Sequence, residues 1–135
     1  MEVKIDTKEK FHVITLTEAA LSDNIAAELS TLSSQYLDKD VKNVILKLPA
    51  TTSITETAAE ELTRIQQKFY ENNASFVICH LQQSLEDKLD EMELLEVMNV
   101  TPTESEAWDI VQMEEIERDL MDNEEDVEFN SHGEK

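Results

Sequence analysis

The chain has 135 residues, 40% of them hydrophobic, and its 11 Lys and Arg against 31 Asp and Glu leave a formal charge of −20. A chain of this length folds as one domain with a sizeable core, and a field of that sign repels phosphate backbones and anionic headgroups, so nucleic-acid partners are not expected. No apolar run approaches the roughly 20 residues of a membrane-spanning helix, so no membrane insertion is expected either.

The opening residues Met1 to Asp6 lack the basic-then-apolar pattern of a secretory signal, and a cytoplasmic location is expected. Cys79 is the sole cysteine, which rules out an intrachain disulfide. With only His12, His80 and His132 beside it, no metal-ligand spacing can be drawn, and no cofactor is expected. The acid is uneven: from Met113 to Lys135 there are ten acidic residues and two basic ones. The chain therefore divides into a domain over residues 1–112 and an acidic extension over 113–135. In that extension the last helix continues and then gives way, near Asp122, to a solvated, disordered tail.

In chain order, Val3 and Ile5, then Phe11 to Thr15, alternate with a period of two around Thr7-Lys8-Glu9-Lys10, which predicts two short antiparallel strands. Ser22 is positioned to cap a helix whose Ile25, Leu29, Leu32 and Tyr36 form one apolar stripe. The β-branched run from Val41 to Leu48, stopped by Pro49, predicts the central strand. A hydroxyl-rich loop, Thr51 to Thr57, leads into a second helix with Ala58, Leu62, Ile65 and Phe69 on one face. Ser53 with Glu56 and Thr57 with Glu60 each fit a capping box, so the first residue of this helix stays open.

Asn72-Asn73 closes the second helix, and Ala74 to Leu81 predicts a further buried strand, completing a βαβ unit. Ser84 with Asp87 opens a third helix running to about Met92, and Val97 to Val100 predicts a short strand bounded by Pro102. Thr103 with Glu106 caps the last helix, Glu104 to about Asp122, whose apolar side is read as Ala107, Trp108, Val111, Met113, Ile116 and Leu120. Ile116 to Met121 would either pack back on the domain or form a homodimer contact. The core is expected to hold Val13, Leu29, Val44, Leu46, Leu62, Ile65, Val77, Cys79, Leu89 and Val111.

Glycine-dependent phosphate loops, dinucleotide fingerprints and nucleophile elbows are excluded, because the only glycine is Gly133. Cys79, in the middle of an apolar strand, reads as an inert small hydrophobe. His12 and His80 read as strand histidines, and Trp108 as a packing residue. No carboxylate pair carries a catalytic motif, and the chain is not expected to be an enzyme. The segment Thr51 to Thr57 is different. It gathers hydroxyls where a buried strand meets a helix N-terminus, whose free N–H groups and dipole favour added negative charge.

The order of these elements, the apolar strand Val44-Ile45-Leu46-Lys47-Leu48 before the hydroxyl loop and Phe76-Val77-Ile78-Cys79-His80 after the helix, resembles the STAS domain of bacterial anti-sigma factor antagonists over roughly residues 2–112. The resemblance implies an α/β fold, a mixed four- or five-stranded sheet with about four helices, carrying the acidic helical extension. In that family the loop after the central strand reads Asp-Ser-Ser/Thr-Gly, and its second hydroxyl residue is phosphorylated by an anti-sigma factor with kinase activity. Aligned on Leu46-Lys47-Leu48, the motif falls on Thr55, Glu56, Thr57 and Ala58, with Thr57 at the acceptor; a shifted register would place the acceptor at Thr55 or Ser53. The implied function is noncatalytic partner switching, with an anti-sigma factor bound through Ser53, Ile54, Thr55, Glu56, Thr57, Ala58 and Glu61. The alternative is a divergent STAS module, stressosome-like or transporter-associated, that binds its partner constitutively.

Overall fold

The computed structural model describes residues 1–121 in full and the backbone of residues 122–134. The reading of the end of the chain as a solvated tail lies outside the residues described in full. Strand β1 (Val3–Thr7) turns back into β2 (His12–Leu16), as their alternation requires. A two-residue strand β3 (Ala20–Leu21) precedes helix α1 (Asp23–Ser34). Then come β4 (Val44–Lys47), the two-residue β5 (Ser53–Ile54), α2 (Glu56–Glu71), β6 (Phe76–Cys79), α3 (Gln83–Glu91), β7 (Val100–Thr101) and α4 (Glu104–Glu134). The main sheet has five strands in the order β1-β2-β4-β6-β7, antiparallel only at β1-β2, and β3 pairs with β5 in a separate two-stranded ribbon.

Both faces of the central strands are buried, which their apolar sequences demand. On one face Ile14, Leu16, Val44, Leu46, Phe76 and Ile78 pack under Leu29 of α1, Leu62, Ile65 and Phe69 of α2, and Leu85 and Leu89 of α3. On the other, Phe11, Val13, Ile45, Val77 and Cys79 pack under Ala107 and Val111 of α4, with the Trp108 ring stacked 4.9 Å from that of Phe11. All ten residues expected in the core are buried.

Several expectations need correction. The expected strand over Val97 to Val100 is displaced: Leu95–Val97 forms a 3-10 turn, because Leu94, Leu95 and Met98 are drawn onto the helical side of the core. Only Val100 and Thr101 then reach the ladder, opposite Ile78 and Cys79, before Pro102 ends it. The strand expected to run through His80 stops at Cys79, where His80 takes a left-handed φ of 59° and turns out to solvent. Ser84 does not cap α3. The cap position is Gln82, without a side-chain bond, and the Ser84 hydroxyl donates to the Thr52 carbonyl instead, at 3.5 Å.

The last helix has two apolar sides rather than one. Ala107 and Val111 are fully buried, whereas Met113, Ile116 and Leu120 are more than half exposed, so Ile116 to Met121 does not pack back on the domain. His12 is buried, its Nε2 donating to the Val41 carbonyl at 2.9 Å and its Nδ1 3.0 Å from the Thr7 hydroxyl, with the ring stacked on Tyr36.

A polar cluster fastens α4 across the amino-terminal edge of the parallel strands. Buried Asn43 donates from Nδ2 to the Lys10 carbonyl at 3.1 Å and to Glu115 Oε2 at 2.8 Å, while its Oδ1 accepts from the Ser75 N–H at 2.9 Å. Glu114 accepts from the Ser75 hydroxyl at 2.5 Å and from Asn99 Nδ2 at 3.0 Å. Asn43→Ala strands the buried Ser75 N–H and the Lys10 carbonyl, and a buried polar group without a partner costs about 1–3 kcal/mol. Urea denaturation should show a loss of that order, and an unchanged midpoint would contradict the role given to Asn43.

Candidate functional site: the hydroxyl loop and the start of helix α2

Beyond β4 the chain must leave the sheet, and Pro49 removes the donor that would extend the ladder. Leu48 is still buried, its N–H donating to the Cys79 carbonyl at 3.1 Å; Pro49 and Ala50 are exposed. Thr51 then turns inward, fully buried, with its hydroxyl donating to the Glu18 carbonyl at 2.8 Å. The Thr52 N–H donates to the Ala19 carbonyl at 2.8 Å, and the Thr55 N–H to that of Leu21 at 3.3 Å. Between them β5 lies parallel to β3, with Ser53 opposite Ala20 and Ile54 opposite Leu21. The Thr51 hydroxyl and the Thr52, Ser53 and Thr55 N–H groups thus find partners in residues 18–21, which is how a loop without glycine is held in place.

From the far side, Gln82 Nε2 donates to the Pro49 carbonyl at 2.6 Å. The loop is therefore built against both the β2–α1 and the β6–α3 connections. Its position, at the carboxyl end of a central strand, is where open α/β sheets present their functional surfaces.

Thr55 is the N-cap of α2, in neither of the two registers suggested by the capping-box patterns. Its Oγ1 accepts the Ala58 N–H at 3.0 Å and donates to Asp23 Oδ1 at 2.5 Å. Asp23 is the first residue of α1, whose own cap, Ser22, accepts from the Ile25 N–H at 3.3 Å. Two helix N-termini are thereby set side by side, and the Asp23 carboxylate lies where both dipoles favour negative charge.

The residues predicted to bind a partner divide by depth. Ser53, Thr55, Glu56 and Thr57 are exposed and Glu61 is half-buried, whereas Ile54 is 6% exposed and Ala58 not at all. Ile54 and Ala58 anchor the loop and the first turn of α2 to the core. Thr57 lies along a shallow groove between α1 and α2, lined also by Asp23, Ala26, Ala27, Ser30 and Glu61. Among the described residues neither the Thr57 nor the Ser53 hydroxyl makes a hydrogen bond. The carboxylates of Asp23 and Glu61 line the groove, and Glu56 and Glu60 stand exposed on the first turns of α2; Arg64 lies 2.6 Å from Glu61 and 4.0 Å from Glu60.

Sequence reasoning did not find Asp23, because the Thr55–Asp23 bond joins positions 32 apart. An acid at the first turn of α1 was the only local signal. It also missed the left-handed His80, which stands exposed at the carboxyl end of β6 on the same edge of the sheet.

No other arrangement among the described residues carries evident chemistry. No group of three His, Cys, Asp or Glu could hold a metal ion there, and no helix is long and apolar enough to cross a membrane. Burial pushes the Cys79 thiol up to about 12, against the pull of Lys47, so it stays protonated and unreactive at neutral pH.

The sequence pattern of the STAS domain matches residues 2–107. This chain belongs to the STAS domain family. The STAS fold is also found in solved structures of low sequence identity. An anti-sigma factor antagonist from Mycobacterium paratuberculosis superposes with a TM-score of 0.69 at 12% identity, over 82% of this chain and 93% of that one. A variant of RsbS from Moorella thermoacetica gives 0.67 at 18%, over 83% and 96%. A sulfate transporter family protein from Wolinella succinogenes gives 0.67 at 12%, over 81% and 90%. No curated protein sequence matches the chain.

Two outcomes follow from the STAS site geometry. Thr55→Ala removes the α2 cap and should cost about 1 kcal/mol in urea denaturation. For Cys79 the native state holds the thiol neutral to about 12 against an ordinary 9.0, so its contribution to stability is complete below pH 9.0 and is lost as pH rises toward 12. The urea midpoint of the wild type should therefore fall more steeply above pH 9.0 than that of Cys79→Ala. Parallel curves would refute this.

Proposed function

We propose that the protein is a noncatalytic partner-switching module, an antagonist of an anti-sigma factor with kinase activity, which docks through the loop and first turn of α2 and is released by phosphorylation at Thr57. The observation that carries this reading is the difference between two neighbouring threonines. The Thr55 hydroxyl is committed twice, to the Ala58 N–H and to Asp23, so modifying it would dismantle the cap. Thr57 is exposed on the first turn of α2 with its hydroxyl uncommitted among the described residues, so a phosphate there disturbs no fold contact. Ser53 is also exposed, but it lies in the ribbon paired with Ala20 rather than on the helix face.

A phosphate at Thr57 brings nearly two negative charges to a groove already lined by Asp23 and Glu61, next in sequence to Glu56. The α2 dipole tolerates them locally. A partner docked over Ser53, Thr55, Glu56, Thr57 and Glu61 would have to desolvate them, and an acidic partner would be repelled. Such a switch needs no movement of the domain; it changes only the charge of a surface that Ile54 and Ala58 hold in place.

A second reading has its own observation. Glu56 already sets a fixed carboxylate next to Thr57 at the exposed turn, in keeping with a STAS module that binds its partner constitutively without phosphorylation. Affinity capture of the tagged protein from its own cells separates the two. With the switch, wild type and Thr57→Ala recover an anti-sigma factor, Thr57→Asp recovers it at least about tenfold less well, and the unbound pool carries phosphate on the tryptic peptide 48–64. Equal capture by Thr57→Asp, with an unmodified peptide, would sink the switch and favour constitutive binding.

A further inference from the structure

Helix α4 meets the sheet through Ala107 and Val111, and its next turn is tied down by Glu114 and Glu115 at the polar cluster. Arg118 Nη1, one turn on, lies 3.5 Å from the Ser75 hydroxyl and faces the same way. At about 100° per residue, Met113, Ile116 and Leu120 share an arc of about 60°, and Leu120 stands roughly 180° round the helix from Val111. Their exposures are 59%, 57% and 54%. This second stripe points away from the protein's own core, and no rotation of α4 buries it without exposing Ala107 and Val111.

Charge decides what can cover it. Exposed Asp119 lies along one side of the stripe and exposed Glu106 and Glu117 along the other, while exposed Asp109 stands in line with the stripe, one turn before Met113. The one cation of this stretch, Arg118, is on the opposite face. The sequence from 113 to 128 continues the bias, with nine acidic residues and one basic. Two copies of this helix, paired stripe to stripe, would set acidic borders against acidic borders in either orientation, a repulsive arrangement for a helix seam.

The geometry points to a second docking surface, the Met113-Ile116-Leu120 stripe of α4, which takes an amphipathic helix of a protein partner whose apolar face is flanked by Lys and Arg. The stripe supplies anchors at i, i+3 and i+7, Met113 lends it an adaptable end, and the acidic borders attract and orient a basic helix. It lies on the face of the sheet opposite α1 and α2, so it would remain open while the Thr57 surface is engaged.

The test uses the full chain and a fluorescein-labelled synthetic helix of about 18 residues, with Leu at i, i+3, i+4 and i+7 spacing and Lys on its flanks, beside an isomer of identical composition with the Leu dispersed. The amphipathic peptide should bind about tenfold or more tightly than the isomer. Ile116→Gln combined with Leu120→Gln should abolish that preference with no fall in melting temperature. Glu117→Lys combined with Asp119→Lys should weaken binding while leaving the apolar anchors intact. Equal binding of the two peptides, or a preference that survives the glutamine variant, would overturn the proposal. So would a wild-type dimer in sedimentation that the glutamine variant converts to monomer, because the stripe would then belong to a second copy.

Discussion

The architecture depends on a single constraint: β4 and β6 are apolar on both faces, and a strand of that kind is stable only between two layers. Val44 and Leu46 face one way and Ile45 the other; Phe76 and Ile78 face one way and Val77 and Cys79 the other. Burying a large aliphatic side chain is worth about 1.5–3 kcal/mol, so leaving either face open would outweigh the net stability of a small domain. Three helices cover one face. The other has only α4, and this is why the polar cluster at Asn43, Ser75 and Asn99 matters beyond its own hydrogen bonds: it fixes the helix on which half of the sheet relies.

Division of labour between the two edges of the sheet follows. At the amino-terminal edge, buried Asn43 and Ser75 and half-buried Asn99 meet the carboxylates of Glu114 and Glu115 and lock a helix in place. At the carboxyl edge, the same strands release the chain into the loop that ends at Thr55, where side-chain hydroxyls and the β3–β5 ribbon replace ladder bonds. The buried polar cluster is thus at one edge and the exposed hydroxyl loop at the other, so the loop's exposed side chains stand clear of the contacts that pack the core.

Much of this was legible in the residues, for reasons that differ by element. Period-two alternation in residues 3–15 and the aliphatic runs at 44–48 and 76–79 report burial directly, and every expected core residue is inside. The strand at 97–100 was misread because Leu94, Leu95 and Met98 are equally good at filling a space beside α2 and α3, and periodicity cannot tell the two apart over so few residues. The apolar residues of α4 from 107 to 120 read as one side in sequence, whereas at helical spacing Ala107 and Val111 fall opposite Met113, Ile116 and Leu120. The loop shows its hydroxyls but not its register, since Ser53 and Thr57 both satisfy the local capping-box rule, whereas the cap is Thr55, which does not and is bonded to Asp23 on another helix.

One feature of the chain bears on how it would associate. No glycine occurs before Gly133, and the left-handed positions at Asn73, His80 and Glu93 are filled by residues that carry a side chain. Such residues cost something in the native backbone, yet they leave the unfolded chain fewer conformations to lose. The segment from Thr51 to Thr55 is restrained as well, by partners in residues 18–21. A surface already ordered before encounter gives up little entropy when a partner settles on it, so modest contact area there can yield useful affinity and fast release.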